Sequence, residues 1–283
     1  MTSSVIFLIA LTIGLGTASK VLHRYVLKET EPYAYALLTQ AVAALFFLPL
    51  ALKNFVLPSG TPAWSALLLA SLFWTGTAVA KYTAYKGTEV SLKEPLDQSK
   101  LILALLLGVV VLGETPSLAR IIGTIVIFLG VSILLFHPEK KFGRLTDPGV
   151  QWTLGSAMLG TITAVIDKFA LGYFTPEIYG LLVYIGPLLT LLLFLPKRAV
   201  HVGHLLRQRP WSALSGVLLA TAAYYTLLNV YAVADFTLAY PLLQLGTLLT
   251  VLSGILIFKE REHLLQKIVA TAIIVTGSIL VRF

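Results

Sequence analysis

Cysteine is absent from all 283 residues, which excludes disulfides, thiolate metal sites and thiol nucleophiles. Charge is scarce too. Asp, Glu, Lys and Arg make up 12% of the chain, about half of the roughly 25% usual in a soluble globular domain. Motifs of soluble enzymes are missing: there is no HExxH, no P-loop and no glycine fingerprint opening a βαβ unit. His201 and His204 form an HxxH, but in a basic loop with no nearby carboxylate, so no metal site is expected. The chain therefore reads as a non-enzyme without cofactor or metal. What the sequence has in plenty is apolar surface, with 57% hydrophobic residues. Its formal charge of +8 would suggest nucleic acid in a soluble protein. In a membrane chain it reads first as orientation, because basic loops stay cytoplasmic, and no nucleic-acid partner is expected.

Ten apolar runs are long enough to span a bilayer, at 4–27, 33–52, 62–84, 91–112, 118–136, 149–170, 177–195, 211–233, 237–258 and 264–281. Ten spans use roughly 200 to 220 residues, which leaves only short surface turns such as Lys53–Pro62 and Phe142–Pro148. The first run ends in small residues near Gly16–Ser19, but Met1–Ser4 carry no basic segment. It reads as a retained span and not as a secretory signal.

The two halves of the chain echo each other. At an offset of 146, Gly14 matches Gly160, Tyr85 matches Tyr231, Pro95-Leu96 matches Pro241-Leu242, Gln98 matches Gln244, Gly108 matches Gly254 and Glu114 matches Glu260. At 147, Trp64-Ser65-Ala66-Leu67 recurs as Trp211-Ser212-Ala213-Leu214. The expected fold is an all-α integral membrane protein of ten transmembrane helices, built as two inverted five-helix repeats over 1–142 and 143–283. Five is odd, so the second half enters the membrane from the opposite side. Inverted repeats characterise secondary transporters, in which two similar halves facing opposite ways exchange roles between outward-open and inward-open states.

Alternating spans place three basic residues, Lys53, Arg120 and Arg282, on the side of both termini and 14 on the other, Lys93 and Lys267 among them. Lys20, Lys81, Lys100 and Lys168 fall inside spans. The positive-inside rule then puts both termini outside. The expected location is the cell (inner) membrane.

Glu94-Pro95-Leu96 followed by an apolar helix ending in Gly113-Glu114, and Tyr240-Pro241-Leu242 running to Lys259-Glu260, set Pro and Glu 19 positions apart in both halves. With the 5+5 plan, this resembles the EamA-like drug/metabolite transporters over essentially the whole chain. The resemblance implies a secondary carrier, often an exporter of amino acids or other small metabolites, with a central cavity lined by helices 1, 3, 4, 6, 8 and 9. It also implies cytoplasmic termini, opposite to the charge bias.

Ionisable groups inside a bilayer cost about 2.5 to 3.5 kcal/mol each on insertion scales and so mark functional positions. Asp97 and Lys100 lie three residues apart near the midplane of the fourth span, where a pair can hold a charged solute group or Asp97 can cycle a proton. Asp167 and Lys20 are further gate or proton candidates. The alternatives to a carrier are a non-transporting membrane scaffold or receptor and, less favoured, an intramembrane enzyme using Asp97 or Asp167 as acid or base. Lys20, Lys81 and Lys168 lie nearer span ends and can also snorkel to headgroups. Tyr82 and Asn229 correspond at offset 147, Gln98 and Gln244 at 146, and Tyr225 shares a helix face with Asn229. These polar side chains are expected to face a cavity, since lipid would leave them unsatisfied. Tyr85, Tyr231, Trp64 and Trp211 fit an interfacial aromatic belt, and Glu94 is read as interfacial. Glu114 and Glu260 are read as caps of the helices that follow them. The expected partners are a small-molecule substrate and the lipid bilayer. Nothing marks an oligomer, and two halves in one chain can form a cavity as a monomer.

Overall fold

The structure, a computed structural model, describes residues 3–53, 55–110, 115–136, 145–194, 196–234, 243 and 246–280. Long helices follow from the apolar runs: α1 (Ser3–Leu27), α2 (Pro32–Leu52) and α3 (Thr61–Gly87). Then come α4 (Val90–Leu96), a 3-10 turn at Asp97–Ser99, α5 (Lys100–Val110), α6 (Leu118–Leu135), α7 (Pro148–Ala170) and α8 (Pro176–Phe194). The chain continues with a short α9 (Val200–Gln208), α10 (Pro210–Val233), α11 (Gly246–Ile257) and α12 (Leu264–Leu280). Proline opens α2, α7, α8 and α10, where its missing N–H is no loss. Ser117 and Asp147 cap α6 and α7 by accepting from the backbone N–H of Arg120 and Gly149. No strand occurs among the described residues.

The protein is a multi-pass integral membrane protein. Among the described residues, seven helices (α1, α2, α3, α6, α7, α8 and α10) are long and apolar enough to cross a bilayer. The expected fourth span is broken instead of continuous. Its helix starts at Val90, so Pro95 lies inside the helix and not in its first turn. Lacking an N–H and clashing with the carbonyl four residues back, Pro95 is followed at once by the 3-10 turn before α5 resumes. α11 and α12 are shorter apolar helices, and 235–242, where the ninth span should begin, lies outside the described residues.

Packing follows a pattern in which α1 lies on α10, α3 on α7, α2 on α8, α6 on α12 and α4 on α11. At the α6–α12 crossing two glycines let the backbones meet. A Cβ on Gly277 would stand 2.7 Å from the Gly123 carbonyl oxygen, and one on Gly130 would stand 3.1 Å from that of Ala270. Helix ends are satisfied by cations from neighbouring helices. Arg24 of α1 donates to the carbonyls of Tyr85 (2.6 Å) and Lys86 (3.0 Å) at the end of α3. Lys168 of α7 donates to those of Tyr231 (2.6 Å) and Ala234 (3.3 Å) at the end of α10. Lys168 thus caps a helix where snorkelling was expected, because unsatisfied terminal carbonyls attract a cation. Trp64 and Trp211 are exposed, but Tyr85 and Tyr231 are buried. The latter two belong to the interior and not to a surface belt.

Candidate functional site

A cavity of about 310 Å³ lies between the halves. Its walls come from α1, α2, α3, the broken α4–α5, α7, α8, α10, Leu243 and Gly246 of α11. The lining carries four lysines and three carboxylates, a dense charge for a chain with 12% charged residues. A second hollow, bounded by Ile133, Phe136 and the start of α12, carries neither lysine nor carboxylate.

One end of the cavity is built where α4 begins. Glu94, which the sequence placed at the interface, is 1% exposed. It stands a full turn into the helix that starts at Val90, where burial demands partners. Its Oε2 pairs with Lys20 Nζ at 2.5 Å, while Oε1 accepts from Lys93 Nζ at 3.1 Å and from Tyr85 OH at 2.7 Å. Lys93, counted with the loops, is likewise buried, 4.0 Å from Asp97. Asp97 Oδ2 accepts from Lys100 Nζ at 2.8 Å. Lys81 also lines this end, with its ammonium 5.5 Å from the ring centre of Tyr82. Tyr82 stands edge-on to Tyr35 and His23, and His23 Nδ1 lies 2.9 Å from Tyr35 OH.

Three ties anchor the start of α4 outside the cavity. The Glu260 carboxylate accepts from the N–H groups of Val90 (3.1 Å) and Ser91 (2.8 Å), and Arg24 lies 3.6 Å from it. Lys267, also counted as a loop residue, is buried and paired with Glu89. Glu260 was expected to cap the helix that follows it. It caps α4 of the first half instead, because α11 packs on α4 and a carboxylate beside free N–H groups is favoured at a helix start. Glu114 lies outside the described residues.

The other end is centred on Asp167, 2% exposed near the end of α7. Oδ1 accepts from Tyr179 OH (2.6 Å) and Trp74 Nε1 (3.1 Å), and Oδ2 from Tyr224 OH (3.1 Å). All three donors are neutral, and no cation lies within 4 Å of Asp167 among the described residues. Trp74 and Lys81 stand seven residues apart on α3, about 10 Å along its axis, so the two ends occupy different depths.

Of the residues expected at the site, Lys20, Tyr82, Asp97, Lys100 and Asp167 line the cavity. Gln98 does not; it is buried and donates to Thr247 at 2.6 Å, tying the break to α11. Tyr225 and Asn229 also stand outside the lining. Tyr225 OH donates to Glu177 at 2.9 Å, and Asn229 bonds back to the Tyr225 carbonyl at 2.8 Å, which satisfies each locally. On α10 it is the neighbouring Tyr224 that faces the cavity. Gln244 lies outside the described residues. Sequence reasoning missed Glu94, Trp74, Tyr179 and Tyr224. Glu94 already fell within the expected run 91–112, and its place beside span lysines that need a carboxylate was the signal overlooked; the other three carry no spacing signal, since they converge from α3, α8 and α10. No group of three His, Asp or Glu suited to a metal occurs among the described residues.

The profile of the EamA-like transporter family matches residues 2–136. No curated protein matches the chain in sequence. A solved structure described only as the crystal structure of a protein has a TM-score of 0.63 at 17% identity, covering 99% of this chain and 96% of its own. That likeness shows a fold shared with that structure over nearly the whole chain.

Proposed function

We propose, from the match of residues 2–136 to the EamA-like transporter family, that the protein is a secondary carrier. It moves small organic solutes outward by alternating access between its halves, 1–142 and 143–283. The observation that carries this reading is a charged cavity enclosed by both halves inside an otherwise apolar bundle. The cross-packing supports it: under the 146–147 offset, the α1–α10 and α3–α7 contacts are counterparts, and α2–α8 and α6–α12 are each related to themselves. Arg24 and Lys168 capping at the equivalent Tyr85 and Tyr231 repeat the same symmetry.

Within this scheme the end built on Lys20, Lys93, Glu94, Asp97 and Lys100 is fixed by mutual charge. Asp167, held by neutral donors alone, can gain and lose a proton without breaking an ion pair, so it is the group that links flux to a proton gradient. Lys20 joins α1 to α4 through Glu94, a contact that must part if those helices separate, which makes it a gate. The test is flux into proteoliposomes of the purified protein, with labelled amino acids, nucleobases, sugars, polyamines and organic acids, under an imposed proton or solute gradient. Movement of one class, faster with the gradient and lost in Asp167→Asn only for the gradient-driven part, is expected. No movement of any class would discard the carrier reading.

A further inference from the structure

The lysines of the cavity are not equivalent. Lys20 and Lys93 share Glu94, and Lys100 holds Asp97. Lys81 has no carboxylate within 4 Å among the described residues; Glu94 and Asp97 reach it only at longer range, Lys20 and Lys93 repel it, and its ammonium lies 5.5 Å from the centre of the Tyr82 ring. An ammonium without a counter-ion in a membrane interior is costly, and an anion bound beside it offsets that cost. At this end four lysines face two carboxylates, Glu94 and Asp97, while the third carboxylate of the lining, Asp167, lies at the other end, so positive charge is in excess here and Lys81 is the lysine without a carboxylate in contact among the described residues.

We propose that Lys81 binds the anionic group of the transported solute, and that this solute is an organic monocarboxylate with an apolar body and not a zwitterion or a cation. The inference rests on the carrier reading above. A solute ammonium would need a free carboxylate near Lys81. Glu94 already accepts from three donors and Asp97 is paired with Lys100. Asp167 accepts from three more, about 10 Å away along α3, too far for a zwitterion whose two charges are borne through one carbon. Hydroxyls such as those of Thr39 and Thr77 are set in the wall, but most of its area is apolar, with Ala78, Tyr184 and Leu227. These are surfaces for a hydrocarbon or a ring, and 310 Å³ falls at the small end of ligand sites, about 300 to 1,000 Å³.

Phenylacetate, phenethylamine and phenylalanine test this, since they share a ring and differ in charge. Uptake of each into proteoliposomes is measured for the wild type, Lys81→Met and Lys81→Arg, alongside melting temperatures with and without ligand. Phenylacetate alone should move and raise the wild-type melting temperature. Lys81→Met should weaken its binding roughly tenfold to a hundredfold, while Lys81→Arg retains most of it. Unchanged phenylacetate affinity in Lys81→Met overturns the assignment of Lys81. Uptake of phenethylamine or phenylalanine without phenylacetate overturns the inference but leaves the carrier standing, and failure of every solute in the wider panel removes the carrier itself. Equal competition of phenylacetate by chloride or inorganic phosphate overturns the organic part, since the site would then take any small anion. If Lys81→Met melts well below the wild type without ligand, Lys81→Gln replaces it in the same comparison.

Discussion

The two ends of the cavity solve the same problem in different ways. Glu94 and Asp97 are kept in the membrane interior by lysines, whereas Asp167 is kept there by two phenols and an indole. An ion-paired carboxylate is locked, because losing its charge strands its partners. A carboxylate held by neutral donors can be protonated with its surroundings unchanged in charge. The first arrangement suits a fixed wall or a gate and the second suits proton exchange.

This contrast can be broken by substitution. Glu94→Gln should be the most damaging change, since it leaves Lys20 and Lys93 without their carboxylate. Removing one partner of a buried pair costs about 3 to 5 kcal/mol, to be read as a large drop in melting temperature in detergent. Asp167→Asn should cost less, about 1 to 3 kcal/mol, because the amide keeps one acceptor and turns a donor toward Trp74, Tyr179 or Tyr224. Its signature is functional: solute exchange continues while proton-driven flux disappears. If Asp167→Asn proves as destabilising as Glu94→Gln, the two ends do not differ as described. Glu260→Gln should cost as much as Asp167→Asn, about 1 to 3 kcal/mol, since the amide oxygen can serve only one of the two N–H groups at the start of α4, the NH2 faces the other, and Arg24 loses the charge beside it. The smallest effect belongs to Arg209→Ala. Its partner Glu29 is 65% exposed, and a surface pair contributes within about 1 kcal/mol, so added salt should erase whatever shift is seen.

Much of the architecture was legible because the bilayer imposes one strong rule, that apolar runs of about 20 residues become helices. The expected run 149–170 became α7 and 177–195 became α8 almost to the residue. The fourth run was expected from 91 and begins at Val90, but a residue adds only about 1.5 Å of helix; Glu94 is interior because Lys20, Tyr85 and Lys93 close around it. Asp97 and Lys100 were legible as a pair because three residues on a helix are neighbours. Their coupling to Lys20 and Glu94 was not, since it joins α1 to α4 across 74 positions. Tyr225 was chosen over Tyr224 because spacing on an isolated helix gives a face and not its direction.

The sequence by itself determined a membrane-embedded helical chain, its two echoing halves and the presence of ionisable groups within spans, because these depend on local composition and periodicity. Only the tertiary structure decided which of those groups face one another. Lys81 came to stand without a carboxylate in contact among the described residues, Asp167 among ring donors, and Glu260 at the head of a helix in the other half. Each outcome depends on helix rotation and crossing, which packing between separate helices fixes and which no short-range pattern encodes.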